Sequence, residues 1–393
     1  MKQFLEGSQA VAQAVKLCRP GVISAYPITP QTHIVEGLAE LVANGELKAQ
    51  FVNVESEHSA ASLVLGASAA GVRAFTATSS QGLLLMAEVL FNIAGMRLPL
   101  VLTCANRAVS APINIWNDHQ DAVTVRDSGW IQLWAEDMQD VIDLHIQAYR
   151  LSEDRRVYLP VMVNMDGYIL THGLEVADLP TQEQVDKFLP AYDPLYKLDV
   201  ENPMTLGFLA GPDYYLEARY AIQKTLDDVL EIIPQIDYDF ENIFKRSCGG
   251  LVEAYKTEDA DSVLVAKGSI IGTIKDTVDE LRSEGKKVGV VKVITYRPFP
   301  AKALCDSLSK VPNIGVVERA VSLGAFGPLY SDLKSVLVCS EKQKISGFVI
   351  GLGGRDIRKS DIRDIFDKLI KGQGHCQFMG VKNELLSKDF KDI

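Results

Sequence analysis

Gly21-Val22-Ile23-Ser24-Ala25-Tyr26-Pro27-Ile28-Thr29-Pro30 is an apolar run that ends in a proline-bracketed turn, and Pro30–Ala43 follows it with apolar residues at helical spacing. Strand, turn and helix in that order open a parallel sheet with helices packed on it. The rhythm recurs outward from there. Phe51–Val54, Arg73–Ala77, Leu98–Cys104 and Val157–Asn164 predict further strands, and Ser59–Ala70, Gln81–Ala94 and Asp137–Leu151 predict helices between them. The Ala/Ser/Gly-rich helix Ser59–Gly71 is expected deep inside the fold. Loops leaving the carboxyl ends of parallel strands gather in one crevice, so Thr29, Glu57 and Arg107, each placed after such a strand, can face a single small ligand.

A chain of 393 residues is too long for one ordinary core and predicts two domains. After Asp166 the rhythm stops. Leu174–Asn202 is rich in Pro, Asp, Glu and Tyr and reads as an extended connector, followed by helices at Asp213–Ile233 and around Asn242–Tyr255. The strand rhythm then returns at Ser262–Ala266, Lys287–Val293, Asn313–Glu318 and Gly347–Gly351, with helices at Thr273–Glu284, Ala301–Leu308, Gly327–Val338 and Lys359–Lys371. The expected division is 1–255, including a connector over about 170–255, and 256–393, a smaller α/β domain. The charged Ser387–Ile393 end is expected to be loose.

The net charge of −11 argues against a nucleic-acid backbone as the main partner. No signal peptide and no membrane span is read, since Glu88 and Asn92 interrupt the most apolar stretch. Cys18, Cys104, Cys248, Cys305, Cys339 and Cys376 are scattered singly, so no iron–sulfur cluster or structural zinc is expected on this chain, and a cytoplasmic location with reduced thiols is expected.

Each candidate group has a plainer reading beside its functional one. Glu57 closes a hydrophobic strand and precedes a helix, so its carboxylate is either a poised proton holder or, with Ser56, a helix cap. Arg107 is placed to clamp a carboxylate in a two-pronged contact, or to pair with a neighbouring acid. Thr29, restricted by Pro30, reads by itself as a helix N-cap. The run Asn117-Asp118-His119-Gln120-Asp121 offers metal-type ligands but has no second His at helical spacing, so a hydrogen-bonded turn is the better reading. Lys267-Gly268-Ser269 and Gly351-Leu352-Gly353-Gly354-Arg355 read as ordinary βα turns, and Arg297-Pro298-Phe299-Pro300 as a stiff exposed turn with docking potential.

Taken together, Tyr26-Pro27-Ile28-Thr29-Pro30, Glu55-Ser56-Glu57, Ser80-Gln81-Gly82, Asn106-Arg107-Ala108, Asn117-Asp118-His119, Arg126-Asp127-Ser128-Gly129-Trp130, Gly211-Pro212-Asp213, Arg297-Pro298-Phe299-Pro300 and Gly351–Arg355 resemble the α subunit of the pyruvate:ferredoxin (2-oxoacid:ferredoxin) oxidoreductases across nearly the whole chain. The resemblance implies an α/β fold in which a pyrimidine-binding, thiamine diphosphate-type parallel-sheet domain is followed by a transketolase C-terminal-like domain. It implies that Glu57 hydrogen-bonds the aminopyrimidine N1′ of thiamine diphosphate, with Pro27 and Thr29 also at the cofactor. Thr29 and Arg107 would contact the keto oxygen and the carboxylate of the substrate. The implied reaction is oxidative decarboxylation of pyruvate with coenzyme A to acetyl-CoA, CO2 and reduced ferredoxin.

Thiamine enzymes mark their diphosphate and magnesium half with Gly-Asp-Gly, which does not occur here; Met165-Asp166-Gly167 is the nearest approach. The resemblance therefore implies a β subunit that carries diphosphate and Mg2+, together with γ- and δ-type subunits that carry [4Fe-4S] clusters, in a complex with two symmetry-related copies. Three alternatives stay open: the same chemistry on another 2-oxoacid, the β-type subunit of a lipoamide-linked 2-oxoacid dehydrogenase, and a non-catalytic scaffold subunit.

Overall fold

The structure, a computed structural model, describes residues 2–337, 343–372 and 376–386. Cys339, the last residue of the expected helix 327–338 and the 387–393 segment lie outside the described residues.

Three central strands, Ala74–Thr78, Val101–Asn106 and Val161–Asp166, are buried along their whole length, as parallel strands covered on both faces must be. They anchor a seven-stranded sheet in the order Thr295–Arg297, Ile131–Trp134, Val161–Asp166, Val101–Asn106, Ala74–Thr78, Val22–Ala25, Gln50–Asn53. All its pairs are parallel except the first. A second sheet of six strands runs Cys376–Phe378, Lys344–Val349, Asn313–Glu318, Ser262–Ala266, Val288–Val293, Val252–Tyr255, antiparallel only at its last pair. A small antiparallel pair, Lys2–Glu6 with Leu174–Asp178, ties the amino terminus to the connector.

The expected strands of both sheets are present, with boundaries shifted by a few residues. Several elements depart from the expectation. Ile131–Trp134, Val252–Tyr255 and Thr295–Arg297 are strands, and the helix expected around Asn242–Tyr255 is absent. A single helix, Pro212–Phe244, runs through Pro234, because Val229, Ile232, Ile233, Ile236 and Phe240 bury one continuous stripe against the first domain. Pro212 opens it at the first turn, where a missing N–H costs nothing. Arg297-Pro298-Phe299-Pro300 is not an exposed turn: Tyr296 is fully buried, Pro298 and Pro300 are buried, and Thr295–Arg297 zips the chain back onto the first sheet. The Glu57–Ala69 helix is buried on one face only, with Ala60, Ala61, Val64, Ser68 and Ala69 inward.

One apolar cluster runs without interruption from Leu90, Leu102 and Trp130 of the first domain through Tyr296 to Val263, Val291 and Ile314 of the second. Charge reinforces that joint. Lys292, almost fully buried, pairs with Glu136 at 2.9 Å and Asp140 at 2.6 Å across the boundary.

Candidate active site

Ser56, in extended conformation, caps the helix Glu57–Ala69 by accepting from the Ser59 N–H at 3.2 Å. That settles the capping question in favour of Ser56 and leaves the Glu57 carboxylate for other work. Glu57 is 7% exposed and makes no hydrogen bond or ion pair among the described residues. It lies against the turn after the Ala74–Thr78 strand. A Cβ added at Gly82 would stand 2.6 Å from Glu57 Oε1 and 2.5 Å from Thr78 Oγ1, so only glycine leaves room there. The Thr78 hydroxyl is itself buried without a hydrogen-bond partner among the described residues.

Arg107, also 7% exposed, donates from Nε to the Asn114 carbonyl at 3.0 Å and from Nη1 to the Thr29 carbonyl at 2.8 Å. Carbonyls hold the guanidinium, and no acid forms an ion pair with it among the described residues, which rules against the ion-pair reading. Burial draws its pKa down, and the nearby Asp121 opposes that. Thr29 and Pro27 are exposed on the loop after Val22–Ala25, and Thr29 is not the cap of the following helix, whose N-cap is Gln31. Thr29 and Arg107 are therefore brought together directly.

The residue that joins this pair to the Glu57 turn is one the sequence reading weighed only as a metal or turn ligand. Asp121 Oδ2 accepts from the Ser80 N–H at 2.9 Å and the Arg107 N–H at 3.0 Å, while Oδ1 accepts from Asn106 Nδ2 at 3.1 Å and the Ala122 N–H at 2.7 Å. One buried carboxylate thus fixes the turn beside Glu57 and the backbone of Arg107. No sequence signal marks it, because Arg107 and Ser80, the two groups that it joins, are 14 and 41 residues away.

The rest of the Asn117–Asp121 run is a latch between domains. Asp118 accepts from the backbone N–H groups of Gln120 at 2.8 Å and Gly353 at 3.2 Å. His119 Nε2 meets Asp166 Oδ1 at 2.7 Å and its Nδ1 meets Lys267 Nζ at 3.1 Å. Burial and the neighbouring Lys267 pull the His119 pKa down to about 4. Lys267, with its ammonium 3.3 Å from the Trp134 ring centroid, is lowered chiefly by burial. Asp166 also receives the Ser269 N–H at 3.1 Å and faces Arg319 at 3.6 Å. Burial alone would raise Asp166, but His119, Arg319 and Ser269 hold it well below the usual carboxylate range. Met165-Asp166-Gly167 is accordingly a domain joint.

A parallel-sheet domain with a buried carboxylate against a glycine turn, joined to a second parallel α/β domain, agrees with the family matches in giving a thiamine diphosphate-type domain followed by a transketolase C-terminal-like domain. The family described as Pyruvate flavodoxin/ferredoxin oxidoreductase, thiamine diP-bdg, matches residues 13–237, and Pyruvate:ferredoxin oxidoreductase core domain II matches residues 260–362. The chain belongs to the pyruvate flavodoxin/ferredoxin oxidoreductase family. It is 47% identical over 382 residues to pyruvate synthase subunit PorA of Methanothermobacter thermautotrophicus, covering 97% of this chain and 99% of that one. It is 43% identical to ketoisovalerate oxidoreductase subunit VorA of Pyrococcus horikoshii, covering 94% of each. A 2-oxoglutarate:ferredoxin oxidoreductase from Magnetococcus marinus, solved with 2-oxoglutarate, coenzyme A and succinyl-CoA bound, shares the fold with TM-score 0.74 at 21% identity, over 94% of this chain and 65% of that one.

Proposed function

We propose that the chain is the α subunit of a pyruvate:ferredoxin oxidoreductase, and that it contributes the pyrimidine-side half of a thiamine diphosphate site together with the substrate clamp. Its family makes it one subunit of a multi-subunit 2-oxoacid oxidoreductase with a thiamine diphosphate-binding domain. That membership displaces the lipoamide-linked alternative. The observation that carries the site assignment is the buried Glu57 carboxylate, unpartnered under Gly82, with the Arg107–Thr29 pair tied to the same turn by Asp121.

These residues fit the cofactor's aminopyrimidine ring: Glu57 is a buried acceptor, and Gly82, lacking a Cβ, lets that carboxylate and the Thr78 hydroxyl lie against the turn. Bound thiamine diphosphate supplies the nucleophilic carbon and electron sink that decarboxylation of a 2-oxoacid needs. Glu57 holds the ring nitrogen through a hydrogen bond of the ion-assisted kind, worth about 1.5–3 kcal/mol, and sets which ring atom carries the proton. Arg107 takes the substrate carboxylate, and the Thr29 hydroxyl takes the keto oxygen. Pro27 stiffens the loop that presents Thr29. Residues 1–255 then form the pyrimidine-side domain and 256–393 the transketolase C-terminal-like domain.

Partner subunits hold the diphosphate, Mg2+ and [4Fe-4S] clusters in this reading, and coenzyme A and ferredoxin complete the reaction. Asp166 supports the division, since its carboxylate is committed to His119, Ser269 and Arg319. Exposed Phe208, Leu209, Tyr214, Tyr215, Leu216 and Tyr220, at and just before the start of the Pro212–Phe244 helix, give apolar surface suited to subunit contact. Among the described residues no helix is long and apolar enough to cross a membrane. The test is viologen or ferredoxin reduction by the purified complex with pyruvate and coenzyme A, beside 2-oxoisovalerate and 2-oxoglutarate. Reduction favouring pyruvate supports the reading; a preference for a branched or dicarboxylic oxoacid moves the substrate, and no reduction with any of them removes it.

A further inference from the structure

The second sheet reverses direction of growth at Ser262–Ala266, which has Val288–Val293 on one side and Asn313–Glu318 on the other. At such a point in an open parallel sheet the outgoing loops part and leave a crevice at the carboxyl ends of the strands, where ligands bind. Ser269 and Arg319, from the two loops that part here, line a cleft of about 580 Å³. Its opposite wall comes from the carboxyl ends of the first sheet, through Asn117 and Gly167–Ile169, and Gly354 and Arg355 close a third side.

Arg319, Arg355 and Arg358 line this cleft against one acid, Asp356, in a chain whose net charge is −11, and Arg355 Nη1 also donates to the Gly380 carbonyl. Arg319 is 5% exposed and, beyond its 3.6 Å ion pair with Asp166, its Nε and Nη1 make no hydrogen bond among the described residues. Asn117 is 1% exposed and neither of its side-chain amide atoms has a partner among the described residues. Buried polar groups are nearly always paired, so a guanidinium and a carboxamide short of partners on the two facing walls point to a ligand with several acceptor oxygens. Trp116, 52% exposed, lies 6.1 Å from Tyr168 between ring centroids at 30°, and Ile169 and Ile357 continue this flat apolar wall.

We propose that this cleft binds a free nucleoside di- or triphosphate, its phosphates against Arg319, Asn117 and the rim arginines Arg355 and Arg358, and its base against Trp116 and Tyr168. The site is separate from the proposed active site but in mechanical contact with it. Asn114, on the same loop as Trp116 and Asn117, holds Arg107 through its carbonyl and donates to the Gly353 carbonyl at 3.1 Å. A ligand on this loop therefore bears on the position of Arg107 and acts as a modulator of substrate affinity.

Calorimetric titration of the full chain with ADP, inorganic pyrophosphate and coenzyme A tests this without any activity readout. Arg355 and Arg358 are exposed, so an R355A/R358A variant keeps the fold, and Trp116→Ala probes the base wall. Saturable ADP binding, weakened at least tenfold by each variant and tighter than pyrophosphate, is the expected result. Binding that neither variant changes, pyrophosphate binding as tight as ADP, or no binding at roughly millimolar ADP overturns it. Displacement of ADP by coenzyme A at equal affinity gives the cleft to the coenzyme and overturns a separate nucleotide site.

Discussion

Arg107 donates from Nη1 to the Thr29 carbonyl at 2.8 Å, so the guanidinium proposed to take the substrate carboxylate also fixes the loop that presents the hydroxyl. A lysine's three donors radiate from one nitrogen where arginine has a planar fork, and cannot reach Asn114, Thr29 and a carboxylate in the same geometry. Arg107→Lys is expected to lower kcat/KM for pyruvate roughly ten- to hundredfold, the equivalent of about 1.5–3 kcal/mol, with most of the change in KM. Steady-state kinetics of the reconstituted complex decide it, and an unchanged KM would place the carboxylate elsewhere.

Because Ser56 supplies the cap, Glu57→Gln leaves the helix start intact and isolates the carboxylate. Turnover at saturating thiamine diphosphate is expected to fall by at least about a hundredfold, the scale of a lost proton-handling group, while the melting temperature stays put. Full turnover would revive the scaffold reading.

Much of this was legible from the chain. The buried strands announced themselves as β-branched runs, and Thr29, Glu57 and Arg107 were placed by the rule that loops at strand ends converge. What escaped has a common cause in distant partners. Thr295–Arg297 is three residues long and is a strand only because Ile131–Trp134 lies beside it. Pro234 reads as a helix breaker, yet the apolar stripe from Val229 to Phe240 holds the helix through it. Asp121 lay inside a run already weighed, but its role depends on Ser80 and Arg107 being neighbours in space.

Gly82 gives a steric test of the cofactor wall. Gly82→Ala would place a methyl 2.6 Å from Glu57 Oε1 and 2.5 Å from Thr78 Oγ1, so the carboxylate must move. The thiamine diphosphate concentration for half-maximal activity is expected to rise roughly tenfold or more, since a displaced charged contact costs about 1.5–3 kcal/mol. Gly95→Ala, in a helix with open space around the new Cβ, should leave it unchanged. Equal behaviour of the two variants would mean that the position of the Glu57 carboxylate does not govern cofactor binding.

His145 sets a pH dependence of stability. Its Nδ1–H donates to the Val141 carbonyl at 2.6 Å, so Nε2 accepts from the Thr103 hydroxyl at 2.6 Å and the ring is neutral. Burial holds its pKa down to about 4. Above pH of about 6.5 neither state binds the proton; between about 6.5 and 4 the unfolded chain binds it and the folded chain does not. Stability contributed by the neutral ring is therefore lost as pH falls through that window, by up to about 3 kcal/mol at about 1.4 kcal/mol per pH unit. Denaturant titrations from pH 7.5 to 4.5 should show His145→Gln losing less stability on acidification than the parent chain. Parallel curves would mean that the ring can charge in place.

The domain joint makes the last prediction. Asp166, fully buried at the end of its strand in the first sheet, is the acid that His119 and Arg319 share, with Ser269 donating to it from the second domain. Asp166→Asn keeps the shape but removes the charge, leaving Arg319 and Lys267 buried with less to balance them. Breaking a buried ion pair from one side costs about 3–5 kcal/mol. A lower unfolding midpoint is expected, with the second domain separating as an earlier transition in calorimetry, because the lost charge lies on the joint. The exposed pair Lys187–Glu183 serves as the control, where Lys187→Ala should leave the unfolding midpoint nearly unchanged. If Asp166→Asn proves as mild as that control, the apolar cluster through Tyr296 holds the domains together and the latch serves only to orient the loop that carries Asn114 and Asp121.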